Sequence, residues 1–187
     1  DAWIISFKVE WRNKTVNYLA SVWLAYRKAL DAVEAWEEFD AKALSEELFA
    51  IANRWYIPGF LAGNTNANAQ FYERNGSFGT KAFLGILRDY DETNKLVRVE
   101  VKNRFELGDE IELVSPSGVK TMKVEKIYKT KLNHWVKKAG TTFTEHEYTF
   151  DMSNAEETNS AHGWGYEVWI NMDNKPEDFS LIRKEMP

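Results

Sequence analysis

Three charged side chains, Lys8, Glu10 and Arg12, occupy alternate positions near the start of this 187-residue chain. In an extended backbone that spacing puts all three on one face. Two cations flanking a carboxylate can hold an anionic substrate or phosphate, with Glu10 orienting Lys8 and Arg12 by hydrogen bonds. The same pattern also describes a solvated row of ion pairs. A second candidate lies between Lys120 and Lys138, where seven lysines face Glu125 as the one acid. Tyr128 and Trp135 interleave with them. Lysines neutralise phosphates and rings stack on bases, so Lys129, Lys131, Trp135, Lys137 and Lys138 form the candidate nucleic-acid contact. The competing reading is a solvated strand-and-hairpin face, its charge offset by acids from Glu145 to Glu157.

Other chemistries find less support. His134, His146 and His162 share no compact ligand spacing, so they read as surface histidines and no metal site is assigned. No serine–histidine–acid order, phosphate-cradling glycine loop or paired catalytic carboxylate is recognisable, and no catalytic residue is assigned. Asp109, within Gly108-Asp109-Glu110, reads as turn chemistry. The chain has no cysteine, which excludes disulfides, thiolate zinc sites, cysteine-ligated clusters and a cysteine nucleophile within it. A formal charge of -5 argues against indiscriminate nucleic-acid binding. The 8 Trp, 8 Tyr and 11 Phe are expected mainly in cores.

These residues need elements to position them. Residues 3–12 alternate: Trp3, Ile5, Phe7, Val9 and Trp11 on one parity, Ser6, Lys8, Glu10 and Arg12 on the other, which predicts a strand. A lone strand needs neighbours, and no other strong strand signal precedes about residue 80. From about Lys14 to Trp36 the period changes to helical. Val16, Leu19, Trp23, Leu30 and Val33 form the expected buried stripe, widened by Ala20 and Leu24. Asp40 is the expected N-cap of a second helix reaching about Arg54, with Leu44, Leu48 and Ile51 apolar. Pro58, Gly59 and the Asn-rich run from Gly63 read as a connector.

Beyond Phe83 the chain reads as short strands: 82–90, 96–102, 110–114, 120–128 with Met122 and Val124 inward, 166–171 and about 179–183. Turns fall at Asp91–Asn94 and Pro116-Ser117-Gly118. That spacing suggests a small closed or nearly closed barrel. Residues 129–165 break the rhythm and read as an insertion, a long hairpin projecting from the barrel. The expected class is α+β: an N-terminal strand and two helices over 1–78, then a small antiparallel β-barrel over 79–187. No apolar run approaches a membrane span and no signal peptide is recognisable, so the expectation is a cytoplasmic protein without a membrane partner. The chain opens on Asp1 rather than Met and runs straight into the strand pattern. A trimmed fragment is therefore expected.

Several stretches resemble peptidase family U32, the collagenase-like proteins. Ser6-Phe7-Lys8-Val9-Glu10-Trp11-Arg12-Asn13-Lys14, then Tyr18, Tyr26-Arg27 and Ala29-Leu30-Asp31, is similar to the family's S-x-K-I-E-G-R-x-K-S signature and following helix. Asn53-Arg54 with Gly59-Phe60 and Gly63 resembles a second family segment. Phe83-Leu84-Gly85-Ile86-Leu87, Asn103-Arg104-Phe105, Gly108-Asp109-Glu110-Ile111-Glu112 and Leu181-Ile182-Arg183-Lys184 resemble its C-terminal barrel. Trp11 stands where the family has Gly, and Pro58 where it has Thr.

The resemblance implies that residues 3–12 end a β/α barrel-like catalytic domain, with Lys8, Glu10 and Arg12 on one wall of its site. It further implies that a four-cysteine iron–sulfur cluster belongs to the upstream part of the parent protein, with no cofactor in this chain. Family members include RNA-base or quinone hydroxylases and proteins described as peptidases. The expected role is an accessory, substrate-docking module whose partners are that upstream domain and an RNA or protein substrate. A cysteine-free hydrolase and a purely structural barrel are the alternatives.

Overall fold

The computed structural model describes residues 6–10, 12, 14–51, 56, 63, 79–130, 150, 152–163 and 166–186. The chain divides into two compact units, residues 1–80 and 81–187.

The first unit is helical. Helix α1 spans Val16–Glu34, and the Thr15 hydroxyl starts it by accepting from the Tyr18 amide at 3.2 Å. Helix α2 spans Ala41–Ala50, and the Asp40 carboxylate accepts from the Ala43 amide at 2.9 Å, the expected cap. The buried positions of α1 are Asn17, Ser21, Val22, Leu24 and Ala25. This corrects the predicted stripe, since Trp23 is 62% exposed and Val16 and Val33 are exposed as well. Hydrophobicity ranked Trp23 first, but small Ser21 and Ala25 mark where neighbouring chain can come close. The predicted strand is corrected too. Residues 6–10 carry no strand pairing, and Phe7 is exposed. An extended segment becomes a strand only where a neighbour takes its backbone hydrogen bonds, and among the described residues none does. Residues 1–5 and 11 of that prediction lie outside the described residues.

The second unit is antiparallel throughout. Its strands are β1 Lys81–Asp91, β2 Leu96–Val101, β3 Phe105–Glu106, β4 Glu110–Ser115, β5 Gly118–Lys123, β6 Ile127–Thr130, β7 Ala155–Glu157, β8 Ser160–Ala161, β9 Glu167–Asn171 and β10 Leu181–Glu185. Eight of them form one sheet in the order β5-β4-β10-β1-β2-β9-β6-β7, and β3 pairs with β8. One core cluster takes Leu84 from β1, Val97 and Val99 from β2, Ile111 from β4, Ile127 from β6, Val168 and Ile170 from β9, and Ile182 from β10. Strands near both ends of the sheet reach that cluster, so the sheet is rolled around it.

The predicted 120–128 strand is two strands. β5 pairs with β4, whereas β6 pairs with β9 and β7, and Val124–Lys126 bends between them. The Asn171 carboxamide oxygen accepts from the Glu125 and Lys126 amides at 2.8 and 3.0 Å, replacing the missing ladder bonds. Val124 is buried in the core as predicted.

The excursion between β6 and β7 starts and ends on a paired stem, with Tyr128 opposite Glu157 and Thr130 opposite Ala155. At its return end Phe150 packs edge-on against Tyr128 and tilted against Trp169, with ring centroids 5.5 and 5.4 Å away. Leu96 completes this second cluster. That end folds back onto the sheet rather than projecting, because Trp169 and Tyr128 leave the other sheet face apolar. Residues 131–149 lie outside the described residues.

Candidate nucleic-acid interface

Strand alternation places two residues at one end of the rolled sheet. On β6, Lys129 follows the inward-facing Ile127 by two positions. On the other strand, Tyr166 precedes the inward-facing Val168 by two. Both continue the core-facing row to where the core ends. The Lys129 ammonium sits 5.7 Å from the centroid of the Tyr166 ring, a cation–π contact. Tyr166 is 46% exposed. Its carbonyl accepts from the Val101 amide at 2.9 Å, which ties the residue to β2. The His162 ring lies 6.1 Å from Tyr166 at 61°, and its Nε2 is 3.1 Å from the Ser160 hydroxyl. An anchored, exposed ring beside a cation and an imidazole can stack on a base and neutralise its phosphate.

The Ser160–His162 contact also invites a hydrolytic reading. A nucleophile–base pair needs a third group to orient the base. Among the described residues no carboxylate bonds the other ring nitrogen, and the pair carries no further catalytic geometry.

The predicted site residues fare differently. Lys129 joins the cluster, and Lys131, Trp135, Lys137 and Lys138 lie outside the described residues, as do His134 and His146. Lys8 and Glu10 form an exposed ion pair at 2.8 Å, and Arg12 is exposed without joining them. No group of three metal-ligating side chains occurs among the described residues. Asp109 does the work of a turn: it accepts from the Glu106 amide at 2.8 Å and from the Lys184 ammonium at 2.7 Å. Burial pushes its carboxyl up, and the Lys184 and Glu106 bonds outweigh that and hold it below the usual range. Tyr166 lies just before β9, at the start of the predicted 166–171 strand, and His162 is one of the three histidines expected at the surface. The signal available for them was the His162-Gly163-Trp164-Gly165-Tyr166 run, where aromatic residues alternate with glycine at a strand end.

A cleft of about 400 Å³ lies by the far end of β9, between β5 and the β9–β10 connection. Leu113, Met122 and Met172 line its apolar side, and Lys120, Lys123 and Lys175 its basic side. Glu177 on the connection accepts from the Ser117 hydroxyl and, at 3.2 Å, from the Ser117 amide. These bonds, the Ser117 hydroxyl foremost, hold its carboxyl below the usual range.

A helical lead and a rolled antiparallel sheet with an exposed ring-and-lysine cluster define an α+β module. The profile of the peptidase family U32 C-terminal domain matches residues 80–183, and that of peptidase family U32 matches residues 1–71. The chain belongs to peptidase family U32. It is 35% identical over 127 residues to tRNA hydroxylation protein P of Haemophilus influenzae, covering 67% of this chain and 27% of that protein. It is 38% identical over 114 residues to tRNA hydroxylation protein P of Escherichia coli, covering 60% and 25%. The chain thus spans about a quarter of the length of these curated relatives. Among solved structures it resembles the C-terminal domain of a Geobacillus thermoleovorans protein described as a U32 peptidase. That match has 21% identity, a TM-score of 0.39, and covers 55% of this chain and 99% of the other. Among the described residues no helix is long and apolar enough to cross a membrane.

Proposed function

We propose that this chain is the substrate-docking C-terminal part of a cytoplasmic U32 enzyme that acts on RNA, with single-stranded RNA held by the second unit. The observation that carries the reading is the Lys129 ammonium over the exposed Tyr166 ring. Relatives named for tRNA hydroxylation support it. Hydroxylation itself belongs, on this reading, to the part of the parent protein that the chain does not span. The iron–sulfur cluster expected there does not fit this chain, which has no cysteine to ligate iron. No chemical step is therefore assigned to it here. Lys8, Glu10 and Arg12 would stand at the edge of that upstream site as phosphate or substrate contacts. Lys131, Trp135, Lys137 and Lys138 would extend the RNA contact beyond Lys129.

The test is fluorescence anisotropy of a labelled single-stranded RNA dodecamer with the full chain at low salt. Tyr166→Ala should weaken binding about tenfold, the size of one lost base–ring stack. Lys129→Gln should weaken it and reduce the salt slope by about 0.7, one phosphate contact. Absence of binding by the unaltered chain at low salt would sink the reading, as would an unchanged affinity in Tyr166→Ala.

A further inference from the structure

We infer that the cleft between β5 and the β9–β10 connection is a nucleotide pocket that takes a base bearing an exocyclic amino group. The inference rests on the RNA reading above and adds a second, selective contact at the opposite end of β9 from Tyr166.

Size comes first. About 400 Å³ accommodates one nucleotide but not a folded partner segment. The apolar side, Leu113, Met122 and Met172, is continuous with the barrel core, since Met172 belongs to the core cluster and Leu113 and Met122 pack against it. Thioether and branched aliphatic side chains give a base an apolar face to lie against.

Charge then selects among ligands. Lys120, Lys123 and Lys175 balance Glu125, Asp173 and Glu177 around the lining, so the cleft carries no net charge. That balance disfavours a pocket for a bare phosphate, which needs surplus positive charge. The two signs suit a nucleotide, which has both kinds of edge. Glu177 is already occupied by the Ser115 and Ser117 hydroxyls and the Ser117 amide. Among the described residues the Glu125 and Asp173 carboxylates have no hydrogen-bond or ion-pair partner; none of the three ammonium groups makes a hydrogen bond, and Lys120 helps hold the Glu177 carboxyl low by its charge. A carboxylate is acceptor-only, so it selects donor groups on a base: the exocyclic amines of cytosine, adenine and guanine suit it, whereas uracil's one donor, its ring N3–H, sits between two carbonyl oxygens that repel a carboxylate. Uracil offers no exocyclic amine. Flexible lysine stems around it can reach the flanking phosphates.

Position supports the assignment. The Asn171 carboxamide fixes the bend that carries Glu125, through the Glu125 and Lys126 amides, and its own amino group donates to the Lys123 carbonyl at 3.4 Å. The Tyr90 hydroxyl donates to the Met172 and Asp173 carbonyls at 3.0 and 3.1 Å, pinning the start of the connection. On the same connection Phe179 is held at φ 66°, a left-handed conformation disfavoured for a bulky side chain, and is 89% exposed. The Ser180 hydroxyl holds that turn by donating to the Glu177 carbonyl at 2.7 Å. Nothing inside the fold gains from exposing this ring, whereas a neighbouring nucleotide can stack on it. The lysine-rich stretch, followed along the chain, links the two sites: Lys120 and Lys123 at the cleft, Lys126 at the bend and Lys129 at Tyr166.

The experiment measures binding of the full chain to labelled oligocytidine, oligoadenosine and oligouridine of twelve nucleotides. The unaltered chain should bind the first two about tenfold more tightly than oligouridine, the effect of one charge-assisted hydrogen bond to a base edge. Glu125→Gln with Asp173→Asn should erase that preference and leave oligouridine affinity unchanged, which also reports that the double variant is folded. Phe179→Ser should weaken all three alike. Binding that depends on Tyr166 and Lys129 but shows no base preference, or a preference that survives the double variant, overturns the pocket alone. Failure of every oligonucleotide to bind at low salt overturns the docking reading and the pocket together.

Discussion

Gly85 stands where β1 shifts register against β10, between Phe83 and Gly85, while on its other side it pairs with Val101 of β2. A Cβ there would lie 2.6 Å from the Val99 side chain and 2.8 Å from the Glu100 carbonyl oxygen. Backbone cannot move aside as a flexible side chain can, so the position excludes any larger residue. Gly85→Ala should lower stability by about 2 kcal/mol, the overpacking cost in a well-packed core, and denaturant unfolding will measure it. An unchanged midpoint would mean that the bulge relaxes freely. Phe179 shows the opposite relation between residue and backbone. There a bulky, 89% exposed side chain occupies a conformation that suits glycine or asparagine, so packing does not account for its presence. Arg98 and Arg183 show a third. Arg98 bonds Asp89 and Glu167 at 2.7 Å each, so both cations are lodged in the sheet with carboxylates built in beside them.

At the scale of elements, the stem of β6 and β7 and the return of Phe150 decide what the long excursion does. Phe150, Tyr128, Trp169 and Leu96 bury a patch on the sheet face opposite the main core. Phe150→Ala should cost about 3 kcal/mol, the usual penalty for truncating a buried phenylalanine. Faster amide exchange confined to β6, β7 and β9 should accompany it. If exchange rises equally through β1 and β10, the patch is part of one cooperative core instead. The hairpin turns were legible because Asp91–Asn94 and Pro116–Gly118 carry local turn chemistry. The Asp91 carboxylate indeed accepts from the Asn94 amide at 2.9 Å. Asp40 was legible as a cap for the same reason. The break at Val124–Lys126 was not, because alternation continues through it in the sequence. It is Asn171, 46 residues from Glu125, that supplies the bonds making the bend.

For the molecule as a whole, carboxylates held by cations set the acid limit of stability. Burial raises the Glu112 carboxyl, and bonds from Lys81 at 2.7 Å and Arg183 at 2.7 Å outweigh it, so the group lies below its ordinary value. Glu100 is held low by Lys102 first and by Arg88. Each such group binds fewer protons folded than unfolded, so its contribution is complete above the unfolded value near 4.5. It is lost as pH falls through the lower folded value. The melting temperature should therefore be flat near neutrality and drop below about pH 4.5. Glu112→Gln should shallow that acid limb while costing on the order of 3 kcal/mol at neutral pH, because it strips a partner from the fully buried Arg183. An acid limb unchanged in Glu112→Gln would place the sensitivity elsewhere.

The sequence by itself determined what depends on neighbours along the chain. That covers the α+β class, the Asp40-capped second helix, the hairpins and their turns, and the lack of cysteine in the chain. These follow from periodicity, capping and turn residues, and composition, none of which needs a distant partner. Tertiary structure alone decided which side of α1 is buried, where the lysine-rich stretch divides, and that Tyr166 meets Lys129, 37 positions away. It also set a cleft between β5 and a connection more than fifty residues on. The reason is physical. Alternation assigns a side chain to a face, but only the rolling of the sheet brings the ends of non-consecutive strands together, and a binding surface is made of those ends.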